Sequence, residues 1–189
     1  MYILASGSPR RKELLSLIIP EFEILVSGCE ESVPENTPAE KVPAILAEQK
    51  ALSVSKIRPD DIVIGSDTVV VLGGKIFGKP KDKSHAHSML KALSGKKHFV
   101  YTGVAVAEKG SVRSFVQKTE VEFYELSDET IESYIDTLEP MDKAGAYGIQ
   151  GGAALFAERM VGDYYNVMGL PVCRLGMILR ELVPQLMGV

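Results

Sequence analysis

Between Lys97 and Leu126 the chain carries strand-like patterning interrupted at a turn candidate, Lys109-Gly110. Two consecutive strands joined by a tight turn must run antiparallel, because a parallel pair needs a long crossover. Any sheet that includes this hairpin is therefore at least partly antiparallel. The remainder alternates short apolar segments with helical ones, which is the signature of α/β folds. The expected class is α/β with a mixed, twisted central sheet flanked by helices.

Local signals place most of the elements. Met1–Ala5 reads as a buried strand, followed by a helix over Arg10–Ile18 with Ser8 as its N-cap and Pro9 in its first position. Phe22–Ser27 is expected to be a strand. Thr37-Pro38-Ala39-Glu40 has the form of a capping box, predicting a helix from there to about Ile57. Asp61–Ile64 is expected to be a strand that ends at Gly65-Ser66-Asp67, with Thr68–Leu72 extended again before a Gly73-Gly74 hairpin turn. Ala86, Met89, Leu90 and Leu93 repeat at helical spacing, and Gly95 follows as a C-terminal cap. Ser127 should cap another helix, with Leu126 and Ile131 as its staple. Thr137–Gly152 is loop-like. Ala154–Arg159 and Tyr164–Met168 read as short strands, and Pro171–Leu186 as a closing helix. With no repeat and no low-complexity linker, residues 1–189 are expected to form one domain.

Composition excludes several functions. A net charge of −4 without a block of like charge argues against a nucleic-acid surface. No apolar run approaches the ~20 residues of a membrane span, and the apolar part of MYILASGSPRR is too short for a signal peptide. Cys29 and Cys173 lie far apart and in no metal-type spacing, which fits a reduced, cytoplasmic setting and gives thiol catalysis no support.

Several segments carry chemistry. Ser6-Gly7-Ser8-Pro9 leads from a strand into a helix whose first turn holds Arg10 and Arg11. Free N–H groups, the positive helix end and arginine forks all favour a phosphate there, against a plain solvated turn. Gly73 to Lys79 mimics a P-loop, but Pro80 replaces the required hydroxyl and no helix follows directly, so that reading is rejected. Lys79 could still reach a phosphate, or be an ordinary exposed lysine. Asp67, after the apolar run Ile62–Ile64, could hold a metal or accept a proton from water, or simply stabilise a turn. Glu30 and Glu31 follow another expected strand and could converge with Asp67, enough for a hard cation completed by substrate phosphates. Lys50 lies near the apolar stripe of its helix and either snorkels or points into a phosphate crevice. His85 and His87 read as surface residues and His98 as structural. The dense loop Glu139–Gly151 has glycines for close backbone approach and Gln150 as donor and acceptor for a base edge.

Taken in order, SGSPRR at 6–11, GSDTVV at 65–70, GKP at 78–80, SGKKHFVYTGVAV at 94–106, EPMDKAGAYGIQG at 139–151 and GDYYNVMGLP at 162–171 resemble the Maf family of nucleotide pyrophosphatases. The resemblance implies an elongated, two-lobed fold related to inosine-triphosphate pyrophosphatases, with a nucleotide cleft and usually a homodimer. It implies that a nucleoside triphosphate is cut to the monophosphate and pyrophosphate with a divalent cation, Mg²⁺ or Mn²⁺. It assigns Asp67 as proton acceptor. Ser6, Arg10, Arg11, Glu31, Lys50 and Lys79 would line the phosphate and metal cleft, with Glu31 and Asp67 on the metal. KAGAYGIQG resembles the branch acting on dTTP and UTP, with Arg11, Thr68 and Gln150 associated with base choice. A non-hydrolytic nucleotide-binding regulator of septum formation is the alternative.

Overall fold

The computed structural model describes residues 1–182 as a continuous alternation of elements. These are β1 (Tyr2–Leu4), α1 (Pro9–Ser16), β2 (Glu23–Ile24), α2 (Val42–Ser55), β3 (Ile62–Leu72), β4 (Lys75–Phe77), α3 (Lys83–Leu93), β5 (Lys97–Glu108), β6 (Ser111–Phe123), α4 (Asp128–Asp136), β7 (Ala157–Gly162), α5 (Tyr164–Met168) and α6 (Val172–Leu182). Three short 3₁₀ turns, Glu139–Asp142, Ala144–Ala146 and Gly152–Leu155, connect α4 to β7. The strands form one mixed sheet in the order β2-β1-β3-β5-β6-β7, with β4 also paired to β3. β1 runs parallel to β2 and β3, and every other pairing is antiparallel. Among the described residues no helix is long and apolar enough to cross a membrane.

The long hairpin sits where expected, with Lys109 and Gly110 at φ 47° and 79°. Gly73 and Gly74 turn in the same sense at 57° and 80°. Positive φ at both central residues matches the right-handed twist of the flanking strands. α3 buries Ala86, Met89, Leu90 and Leu93, the four residues its spacing singled out. Ser8 and Ser127 cap α1 and α4, accepting from the Arg11 and Thr130 N–H groups.

Side chains alternate across the sheet, and the two faces are packed differently. α2 covers one face closely, because Gly65 and Gly103 lie beneath its backbone and Ala47, Ala51, Ala105 and Ala107 fill the seam. The opposite face carries the larger core, in which Leu14 and Leu15 of α1, Leu90 of α3 and Leu175 of α6 are fully enclosed. Burying each such leucine contributes about 2 kcal/mol in transfer free energy.

Five expectations need correction. Thr37 does not cap a helix: its hydroxyl donates to the Pro34 carbonyl at 2.7 Å, and α2 starts only at Val42, after a turn closed by Lys41 N–H to Pro38 O. Of Phe22–Ser27, only Glu23–Ile24 pairs, because β1 offers few partners. β3 does not break at Gly65-Ser66-Asp67 but runs unbroken for 11 residues, since β5 pairs with it from Val63 to Val71. Ala154–Leu155 belongs to a 3₁₀ turn, and the strand begins at Ala157. Tyr164–Met168 is a helical turn rather than a strand, because the Asp163 carboxylate accepts the Tyr165 and Asn166 N–H groups and nucleates it. The closing helix is observed from Val172, and residues 183–186 of the expected span lie outside the described residues.

Candidate active site

β3 changes partner halfway along one edge. β1 pairs with Ile62–Ile64, β4 joins only at Val70, and residues 65–69 between them face no strand on that side. A cavity of about 890 Å³ surrounds this open edge, within the range of small-molecule sites. Asp67 and Thr68 are adjacent and therefore project to opposite faces of the sheet, yet both line this cavity. The cleft wraps around the edge and receives side chains from both sides.

On the α2 side, Lys50 stands between two carboxylates. Its ammonium lies 2.6 Å from Asp67 Oδ1 and 3.1 Å from Glu31 Oε1. Lys50 and Asp67 side chains are each 15% exposed and Glu31 46%, so the pair at the bottom is shielded and Glu31 reaches it from the rim. Glu31 is held in place by its neighbours: the Gln49 carboxamide accepts the Ser32 N–H at 3.1 Å and donates to the Ser32 carbonyl at 2.5 Å. α2 thus supplies both the cation and the clamp for the acid. Glu30 is exposed and does not line the cavity, which removes it from the set.

Among the described residues no cluster of three or more His, Cys, Asp or Glu could hold a metal by itself. Two carboxylates do converge on one cationic position, and a hard cation that takes one or two carboxylates and completes its shell from phosphate and water fits that donor set.

On the other face Arg11 is tied into the protein. Its Nε donates to the Gly169 carbonyl at 3.0 Å, Nη1 to Ser6 Oγ at 3.3 Å and Nη2 to Thr68 Oγ1 at 3.1 Å. Burial draws its guanidinium below the usual pKa, and the negative charge of Asp67 opposes that. The two arginines of the first turn therefore differ. Arg11 joins Ser6, Thr68 and α5 into one wall, while Arg10 faces the cavity with Asp142 3.6 Å away. Lys79 is exposed at the mouth, without an ion-pair partner among the described residues, just after Gly78, whose carbonyl accepts the Gly145 N–H at 3.0 Å. Gln150 is exposed on the same cavity.

All nine candidates, Ser6, Arg10, Arg11, Glu31, Lys50, Asp67, Thr68, Lys79 and Gln150, line the one cavity. Glu139, Asp142 and Lys143 line it too and were not singled out; their signal was the density of the loop that contains them. His85 and His87 lie outside the cavity. His98 is fully buried, with its Nε2 3.0 Å from the Tyr147 hydroxyl. Both cysteines are free.

A family model described as Maf-like protein matches residues 1–182. The chain belongs to the Maf family. Two curated Maf relatives are named dTTP/UTP pyrophosphatase. The Bacillus cytotoxicus protein is 52% identical over 182 residues, covering 96% of this chain and 93% of the relative. That of Bacillus cereus strain AH187 is 49% identical over 180 residues, covering 95% and 93%. The Ham1 protein of Staphylococcus aureus superposes with a TM-score of 0.54 at 13% identity, over 96% of this chain and 98% of that one. This last likeness concerns the fold alone.

Proposed function

We propose that this chain is a nucleoside triphosphate pyrophosphatase that cuts dTTP and UTP to the monophosphate and pyrophosphate. The observation that carries the proposal is the shielded Lys50–Asp67 pair, reached by Glu31 from the rim, at an open strand edge in a cavity also lined by Arg10, Lys79 and Gln150. The Maf relatives bearing the dTTP/UTP name cover almost the whole chain.

In this reading the protein forms one domain whose two lobes meet across the cleft. Arg10 and Lys79 neutralise the triphosphate, and Lys50, 2.6 Å from its Oδ1, orients Asp67. Asp67 accepts the proton of a water directed in line at the α-phosphorus, and Lys79 stabilises the departing pyrophosphate. Glu31 and Asp67 would hold Mg²⁺ or Mn²⁺, which when bound neutralises phosphate charge and polarises the reacting phosphoryl group. Gln150 reads the base, and Arg11 and Thr68 shape the wall beside it. The protein acts in the cytoplasm, where its substrates are, as a homodimer.

Incubation with UTP and Mg²⁺ followed by ion chromatography tests the reaction. Pyrophosphate and UMP in equal amounts support it. Stepwise orthophosphate would indicate a phosphatase, and unaltered UTP a nucleotide-binding regulator. Asp67→Asn is expected to lower turnover by about 10³-fold while the protein stays folded; pyrophosphate release at the wild-type rate would remove Asp67 from its role.

A further inference from the structure

The turn that carries Gln150 is built around a carboxylate to which the reaction assigns no role. Residues 148–151 form a turn closed by the Gly151 N–H donating to the Gly148 carbonyl at 3.0 Å. Glu139 stands against it. Its Oε2 accepts the Gly152 N–H at 3.0 Å, and its Oε1 accepts the Tyr134 hydroxyl at 3.1 Å. That hydroxyl accepts the Gly148 N–H at 3.0 Å. One Glu–Tyr pair therefore holds backbone donors at both ends of the turn. Lys143 secures the carboxylate's own backbone by donating to the Glu139 carbonyl at 2.6 Å.

This arrangement accounts for the glycines. A Cβ on Gly148 would approach Glu139 Oε1 to 2.7 Å, and one on Gly151 would overlap the same carboxylate. The backbone wraps the Glu139 side chain so closely that a Cβ at either position would push the carboxylate aside, and at Gly148 the Lys143 side chain with it. Gln150, between them, makes no side-chain hydrogen bond among the described residues and faces the cavity.

Uracil and thymine present an N–H between two carbonyls, whereas cytosine presents a bare ring nitrogen beside an amino group. A carboxamide can meet either pattern by turning over, because it carries both donor and acceptor. Discrimination therefore depends on how tightly the backbone beneath it fixes its approach. The geometry points to Glu139 as a positioning residue for base choice, acting through Tyr134 and the turn to fix how Gln150 meets the pyrimidine. The inference rests on the reading of the cleft as a dTTP/UTP site.

The test is equilibrium binding of α,β-methylene-UTP and α,β-methylene-CTP to the full chain, which reads base preference without any hydrolysis. Wild type is expected to prefer the uridine analogue. Glu139→Ala should reduce that preference about tenfold, the worth of a well-made hydrogen bond, mainly by weakening the uridine analogue. Glu139→Gln keeps an acceptor for the Gly152 N–H and should restore most of the preference. The effect should vanish in a Gln150→Ala background, since Glu139 acts through Gln150; a purely structural role would leave the two effects additive. Should Glu139→Ala fail to fold, Tyr134→Phe removes the acceptor of the Gly148 N–H and should shift the preference in the same direction. A wild-type preference in Glu139→Ala or in Tyr134→Phe, or additivity with Gln150→Ala, overturns the inference alone. A wild-type protein that binds neither analogue, or binds both equally, overturns the dTTP/UTP reading as well.

Discussion

Gly65→Ala moves the reaction centre without touching any residue in it. Gly65 lies two residues before Asp67 on the same face of β3, under the middle of α2. A Cβ there would overlap the Ala47 carbonyl oxygen and stand 2.9 Å from Ala51 N, where ordinary contact begins at 3.4 Å. The obstruction is helix backbone, which has no rotamer to change, so α2 must retreat by about 1 Å. Lys50 emerges between those two alanines, so its 2.6 Å bond to Asp67 and its 3.1 Å approach to Glu31 are strained together. Overpacking of this kind costs about 1–3 kcal/mol, which in a chain this long lowers Tm by roughly 2–12 °C. A misplacement near 1 Å at reacting groups costs on the order of 10²-fold in rate. Calorimetry gives the first quantity, and pyrophosphate release from UTP, well below the variant's Tm, gives the second. Val54→Ala is the control. Val54 is buried on the same helix among Ile3, Val63 and Ala107, so its truncation lowers stability without pushing the helix away, and kcat should stay near wild type. A Gly65→Ala protein that loses stability but keeps wild-type kcat would refute the idea that the seating of α2 sets the Lys50–Asp67 geometry. Unchanged stability would refute the close seating itself.

His98 is enclosed by Phe123 and Tyr147, and desolvation draws its pKa from 6.5 down to about 4. Between those values the unfolded chain binds a proton that the folded one refuses. The stability tied to this group is therefore complete above pH 6.5 and lost as pH falls toward 4, on the order of 3 kcal/mol in all. Urea midpoints across that range should fall less steeply in His98→Phe than in wild type, and parallel slopes would count against a neutral His98. Leu138 follows α4 with φ 62° and 60% exposure, in the C-terminal position that glycine usually fills. Leu138→Gly removes a left-handed strain of about 1–2 kcal/mol against roughly 0.5–1 kcal/mol of added chain entropy. Calorimetry should show a Tm higher by about 1–4 °C, and a lower Tm would mean that the leucine packs more than its exposure suggests.

What could be read along the chain was local. The α3 stripe, the Ser8 and Ser127 caps and the paired positive-φ turns depend on residues within a few positions of one another, and all of them hold. The Thr37 capping box failed although it is local too: residues after Thr37 close as a turn, Lys41 N–H to Pro38 O, and the helix begins only at Val42. Tyr164–Met168 has the aromatic and β-branched look of a strand, but the Asp163 carboxylate turns the backbone into a helix. The course of the strand at Asp67 was the instructive miss. Gly65-Ser66 suggested a strand end, whereas the strand continues and its neighbour ends instead: β1 stops opposite Ile64 and β4 begins opposite Val70.

That change of partner explains why one short motif serves two halves of the cleft. Were β3 paired along its whole length, its two faces would belong to separate layers. Asp67 would meet only α2, and Thr68 only α1 and α5. With residues 65–69 open at the edge, a ligand can pass from one face to the other around a single strand. The alternation of Asp67 and Thr68 then places acid chemistry on one side and the wall formed by Arg11, Ser6 and Gly169 on the other. A triphosphate with its base at the far end is long enough to use both sides. Extending β1 or β4 to pair with Gly65–Val69 would therefore close the passage and abolish turnover even with every candidate residue retained.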